Sequence, residues 1–137
     1  LYPRAIPGEA EPMAAADPTW KPEVIVIGLG GNDFSTPIKP GEAWRDAEAL
    51  RTAYRDRYAA FVTELAARNP KARFILTGAD LFFAEVTAVA GQLQPTLGTR
   101  VRTLRVTGFE LTGCQGHPSL ADHRRMATLL GDALAKH

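Results

Sequence analysis

The sequence predicts an α/β fold, a three-layer α/β/α sandwich with a parallel sheet at its centre. Two observations lead there. Short apolar, β-branched runs bounded by glycine alternate with longer amphipathic segments, and continuous apolar strands are those buried on both faces of a parallel sheet. The order strand, helix, strand is that of βαβ units, which set consecutive strands parallel with helices on the sheet's faces.

The elements follow in order. Five of the ten prolines lie in the first 22 residues (Pro3, Pro7, Pro12, Pro18, Pro22), a density that denies both helix and ladder hydrogen bonds. Residues 1–22 therefore read as an irregular connection continuing something that precedes it. Val24 to Leu29 reads as a first strand buried on both faces. From Glu42 to Arg68 the positions Ala43, Ala47, Leu50, Tyr54, Tyr58, Phe61 and Leu65 recur at spacings of three and four, predicting one long helix that Asn69-Pro70 ends. Arg73 to Thr77 reads as a second strand stopped by Gly78. Asp80 is placed to cap a helix from about Leu81 to Gln92. Val101 to Val106 reads as a third strand, and arginines at 100, 102 and 105 set it near the sheet's edge. A last helix spans about Leu120 to Ala135, with Ser119 as cap and Asp122 three residues on.

Composition bounds the function. The 137 residues suffice for one domain, and 45% hydrophobic with 23% charged residues is the balance of a globular chain. A net charge of +1 without a basic block gives no support to nucleic-acid or polybasic membrane binding. No apolar run approaches the roughly 18 residues of a membrane span, and no signal peptide is visible. The chain begins at Leu1 and not at a methionine, which fits a piece excised from a longer polypeptide. Cys114 is the single cysteine, so no internal disulfide framework exists.

Two stretches invite chemistry. The first, "IVIGLGGNDFST", runs from Ile25 to Thr36; in open α/β sheets ligands bind outside the carboxyl ends of the strands. Gly30 and Gly31 permit close approach of a substrate. Asn32 offers a neutral carboxamide N–H₂ that can stabilise a developing oxyanion, while the plainer reading makes Asn32 and Asp33 an Asx-type turn. A dinucleotide fingerprint from Gly28-x-Gly30 fails, because Asp33 occupies the third glycine position and Pro37 and Pro40 interrupt a following helix. The second stretch, "GCQGHPSLADHRRMA", runs from Gly113 to Ala127. His117 sits in a glycine-flanked loop stiffened by Pro118, where an imidazole can act as a general base or simply decorate a turn. A metal site is not expected: Cys114 and His117 supply two ligands, Asp122 and His123 lie in the next helix, and no second cluster exists.

Taken together, a Gly-x-Asn-Asp block after a buried strand and a His-Pro before the final helix resemble the SGNH (GDSL-like) hydrolase superfamily. The wording "GGNDFST" and "GCQGHPSLADHRRMA" is most similar to carbohydrate esterase family two, the acetyl xylan esterases. The resemblance implies that Asn32 is an oxyanion donor, that His117 is the catalytic base, and that residues 23–137 are the C-terminal part of the hydrolase domain. It implies secretion or a periplasmic location, and no cofactor.

Two departures from the superfamily pattern stand out. Its nucleophile lies in a Gly-Asp-Ser block at the end of the first strand, whereas the serines here are Ser35 and Ser119, each beside a block with another role. The nucleophilic serine is then expected from an upstream segment outside this chain. Most members also carry Asp three residues before the histidine, where this chain has Cys114. A thiol cannot stabilise an imidazolium as a carboxylate does. Family two is known for a Ser-His dyad in which a main-chain carbonyl replaces the acid, so a carbonyl within Gly113, Cys114 and Gln115 is expected to accept from the ring. Cys114 itself reads as a small buried apolar residue. Trp20 and Trp44 flank the Asn32 loop and could stack on sugar rings or serve as packing.

The expected function is thus deacetylation of polysaccharides such as xylan through an acyl-enzyme. The rivals are a non-catalytic carbohydrate-binding or structural fragment, and a lipase or thioesterase of the same superfamily.

Overall fold

The computed structural model describes residue 19 and residues 21–135; most of the proline-rich connection, and Trp20 with it, lies outside the described residues. The elements are β1 (Val24–Gly28), α1 (Gly31–Phe34), α2 (Ala47–Arg68), β2 (Arg73–Ala79), α3 (Phe83–Leu97), a 3₁₀ turn (Gly98–Arg100), β3 (Val101–Val106), a second such turn (Cys114–Gly116) and α4 (Leu120–Ala135). The strands form one parallel sheet in the order β1-β2-β3. The α/β class and the parallel sheet are as expected.

Residues paired in register share a face, because side chains alternate along a strand. Ile27 lies opposite Leu76, and Phe74 opposite Val101. These four join Tyr58, Val62 and Leu65 of α2 and Val86, Val89 and Leu93 of α3 in a single core. Phe74, Leu76, Val62, Val86 and Val89 are fully buried, and each contributes about 1.5–3 kcal/mol by leaving water. The opposite face carries Ile75 and Leu104, beside Leu129 and Ala133 of α4. Helices on both faces make the three layers.

Several boundaries differ from expectation for local reasons. α2 starts at Ala47 and not near Glu42, because the Asp46 carboxylate accepts from the Ala49 N–H at 2.8 Å and caps the helix there. Asp80 caps nothing: it pairs with Arg105 at 2.6 Å, and α3 begins after Phe82 and continues to Leu97 through Pro95. β1 is not buried on both faces. It is an edge strand among the described residues and Val26 is 43% exposed, since α4 packs against β3 and β2 and leaves this side of β1 open. Among the described residues β3 is the other edge, where its arginines suggested an edge; Arg100 ties its start to the Ala72 and Asn69 carbonyls at 3.0 and 3.2 Å.

Candidate active site

Both marked stretches leave the sheet at its carboxyl edge. The Asn32 turn follows β1 directly. The segment after β3 leads into α4, which runs back along β3. Gly108 lies so close to Arg125 that a Cβ would fall 2.7 Å from the guanidinium, and Leu129 lies beside Leu104. The start of α4, and His117 just before it, therefore sit at the same edge as Asn32. One strand separates the two exits, so the strand ends are roughly 10 Å apart, two interstrand spacings.

The Asn32 turn is a single helical turn. Gly30 caps it with φ 117°, on the side of the backbone map that favours glycine, and its carbonyl accepts from the Phe34 N–H at 3.1 Å. A Cβ on Gly30 would lie 2.8 Å from the Phe82 ring and 2.9 Å from the Tyr54 hydroxyl, so helices α2 and α3 press on the turn from below. A Cβ on Gly31 would meet nothing within 4 Å, which leaves the turn open to approach. Asn32 and Asp33 are exposed. Among the described residues the Asn32 carboxamide makes no hydrogen bond, so it does not close an Asx turn and its N–H₂ remains available as a donor.

Beneath this turn lies a set of contacts that periodicity does not reveal. The Tyr54 hydroxyl donates to the Leu29 carbonyl at 2.8 Å, and Tyr58 donates to the Ile27 carbonyl at 3.1 Å. The Phe34 ring meets Tyr54 edge to face at 4.9 Å between centroids, stacks with Phe82 at 5.8 Å, and lies 5.6 Å from the Arg51 guanidinium. Arg51 and Arg55 bond the buried Glu85 at 2.6 and 3.2 Å. Burial, reinforced by the negative charges of Asp33 and Glu85, raises the Tyr54 pKa far above that of a free phenol, so this hydroxyl stays protonated and keeps donating. The sequence signal for these residues was the i, i+4 tyrosine pair on the apolar face of α2, whose hydroxyls need partners once buried.

The His117 loop is held by its own backbone. The Gly113 N–H donates to the His117 carbonyl at 2.9 Å, and the His117 N–H donates to the Cys114 carbonyl at 3.1 Å. That carbonyl also lies 2.9 Å from His117 Nδ1. With Nδ1–H donating there, the neutral ring carries its lone pair on Nε2, which is the tautomer a general base needs. Gly113 admits no side chain, since a Cβ would meet the His117 and Pro118 carbonyl oxygens at 2.7 and 2.8 Å. Gln115 adopts left-handed backbone angles at φ 56°. Cys114 is exposed and not buried as its apolar character suggested, because the tight loop turns its carbonyl inward and its side chain out.

Asp122 anchors the loop to α4. Only 3% exposed, it accepts from the backbone N–H groups of Ser119 (2.8 Å), Glu110 (2.9 Å) and Leu111 (3.2 Å). Ser119 Oγ donates to the same carboxylate at 2.9 Å and accepts from the Asp122 N–H at 3.2 Å, a reciprocal cap. The donated bonds, first from Ser119 and then from Glu110, lower the Asp122 pKa. Ser119 is thereby committed, and Ser35 Oγ donates to the Asn32 carbonyl at 3.4 Å. Trp44 is half-buried on a cleft of about 660 Å³ that it shares with Leu29, Asp33, Tyr54, Arg57 and Phe61, next to the Asn32 turn.

A parallel three-layer α/β sheet with a carboxamide turn and a histidine loop at its carboxyl edge is the frame of an SGNH-type hydrolase. The comparisons agree in sequence and in structure. The chain is 39% identical over 115 residues to an acetylxylan esterase / glucomannan deacetylase of Cellvibrio japonicus (strain Ueda107), a match covering 81% of this chain and 32% of that protein. A solved carbohydrate esterase whose active site is described as having divergent catalytic and non-catalytic binding functions superposes with a TM-score of 0.88 at 35% identity, over 99% of this chain and 44% of the other. A family two carbohydrate esterase from Clostridium thermocellum, solved with cellohexaose, gives 0.73 at 25% identity over 98% and 41%. No family model matches the chain. The resemblance to carbohydrate esterase family two thus holds in sequence and in fold. The chain spans about a third of the curated relative's length and less than half of these two structures' lengths.

Proposed function

We propose that this chain supplies the base and one oxyanion donor of a serine esterase that removes acetyl groups from polysaccharides such as xylan, the nucleophilic serine coming from a segment outside residues 1–137. The observation that carries the reading is the 2.9 Å contact between His117 Nδ1 and the Cys114 carbonyl, which leaves Nε2 basic without a carboxylate. The substrate class follows from the relatives, named as acetylxylan esterase, glucomannan deacetylase and family two carbohydrate esterase. Ser119 Oγ is bonded to Asp122 and Ser35 Oγ to the Asn32 carbonyl, so neither hydroxyl is paired with the His117 ring, whose bond is to the Cys114 carbonyl.

In the first half-reaction the incoming serine Oγ attacks the acetyl carbonyl carbon while His117 Nε2 takes its proton. The imidazolium is stabilised through Nδ1–H by the Cys114 carbonyl dipole. The carbonyl oxygen becomes an oxyanion and accepts from the Asn32 carboxamide. Collapse breaks the bond to the sugar oxygen, which leaves with the proton from His117. Water then repeats the sequence on the acyl-serine, releasing acetate and restoring the hydroxyl. Trp44, on the cleft beside the turn, is placed to stack on a sugar ring, and an extracellular or periplasmic location suits a polymeric substrate.

The test is acetate release from acetylated xylan, with p-nitrophenyl acetate alongside, by the parent polypeptide and its His117→Ala variant. The reading expects activity on both esters, higher on acetyl than on long-chain acyl groups, and its near-complete loss in the variant. Activity surviving His117→Ala overturns it, preference for long acyl chains moves it to the lipases and thioesterases, and absence of turnover with sugar binding retained makes the chain a binding module.

A further inference from the structure

The Asn32 turn is too short to hold its own position against the sheet: it is four residues long, begins at a glycine, and exposes all but Phe34. An oxyanion donor must nevertheless be fixed to a fraction of an ångström, because displacement by about 1 Å can cost on the order of a hundredfold in rate. What fixes it lies in α2, where one side chain touches the turn at three points. The Tyr54 hydroxyl bonds the carbonyl of Leu29, the residue that enters the turn. The same hydroxyl lies 2.9 Å from where a Gly30 Cβ would fall. The Tyr54 ring meets the face or edge of Phe34, the residue that closes the turn, at 74° between planes. Phe82 and Arg51 hold Phe34 from other sides, and Glu85 holds Arg51.

We propose that Tyr54 is a positioning residue for the oxyanion donor: its bond to the Leu29 carbonyl and its ring contact with Phe34 hold in place the turn backbone from which the Asn32 carboxamide projects at the sheet edge. This rests on the assignment of Asn32 as donor. Tyr54 touches no reacting atom, and its effect passes through Asn32. Its hydroxyl, kept protonated by burial and by the neighbouring Asp33 and Glu85 charges, donates throughout the working range, so the pH profile of catalysis belongs to other groups.

Tyr54→Phe removes the hydroxyl and keeps the ring. In the parent polypeptide, assayed on acetylated xylan, the expected result is a kcat lowered about tenfold, with KM and the shape of the pH profile unchanged. In an Asn32→Ala background the same substitution is expected to cost nothing more, since the group it orients is gone. An equal loss in both backgrounds, or an unchanged kcat for Tyr54→Phe in the native background, overturns the positioning role. If Asn32→Ala alone leaves kcat unchanged, the donor assignment fails first, a result the single variant reports separately. A thermal melt of each variant guards the comparison: a kcat loss that tracks a fall in Tm, and is recovered at lower temperature, assigns Tyr54 to stability alone.

Discussion

A carbonyl oxygen carries a smaller negative charge than a carboxylate, yet at 2.9 Å from His117 Nδ1 it selects the same tautomer. The side chain of Cys114 has no part in that bond, so Cys114→Ala is expected to leave kcat near the native value, whereas the loss for His117→Ala is nearly complete. On the proposed assignment Asn32→Ala removes the neutral oxyanion donor, and steady-state kinetics should show kcat lower by about a hundredfold, near 3 kcal/mol, with KM little changed. Gly30→Ala fails for a different reason. It forces a side chain to φ 117° and into Phe82 and Tyr54, at a cost of about 1–3 kcal/mol for the backbone angle alone, so a lowered Tm accompanies the lost activity.

The element that carries the histidine depends on α4. Asp122 gathers three backbone N–H groups of residues 110–119 at the helix's first turn, and its carboxyl is held below its ordinary value by those bonds. A depressed folded-state value means a contribution present above the unfolded carboxylate pKa of about 3.9 and lost as pH falls through the lower folded value. The protection factors of the Glu110, Leu111 and Ser119 amides, measured against their intrinsic exchange rates, are therefore expected to fall in acid below about pH 4, and to be lower in Asp122→Asn at neutral pH. This anchor was half legible: Ser119 with Asp122 three residues on reads as a helix cap, but the reach back to Glu110 and Leu111 depends on a loop path that no local pattern encodes. The start of α2 was hidden for the opposite reason. Ala43 continues the three-and-four spacing, and only the bond from Asp46 to Ala49 shows that the helix begins later.

Across the molecule, the strands were legible as apolar, β-branched runs, so that β3 stands at Val101–Val106 where the pattern put it, and the three-and-four spacing likewise put helix α4 at Leu120–Ala135. Core membership follows from the same alternation. Leu76, fully buried between β1, β3 and the helix layer, is expected to cost about 2–5 kcal/mol on truncation to Ala, read by chemical denaturation. What the pattern could not show is which tyrosines serve the site: Tyr54 and Tyr58 occupy equivalent apolar positions of α2, yet one bonds the residue entering the Asn32 turn and the other a carbonyl within the strand. The proposed reaction requires the turn after β1 and the loop after β3 to serve one centre across β2. The most direct measurement is a crystal structure of the parent polypeptide inactivated by a small alkyl phosphonate. The expected structure shows a phosphonylated serine outside residues 1–137, with its phosphoryl oxygen about 2.7–3.1 Å from the Asn32 carboxamide nitrogen and His117 Nε2 within hydrogen-bond reach of the serine Oγ. A phosphonyl group held by other donors, with His117 turned away from it, would rule out a shared centre of Asn32 and His117.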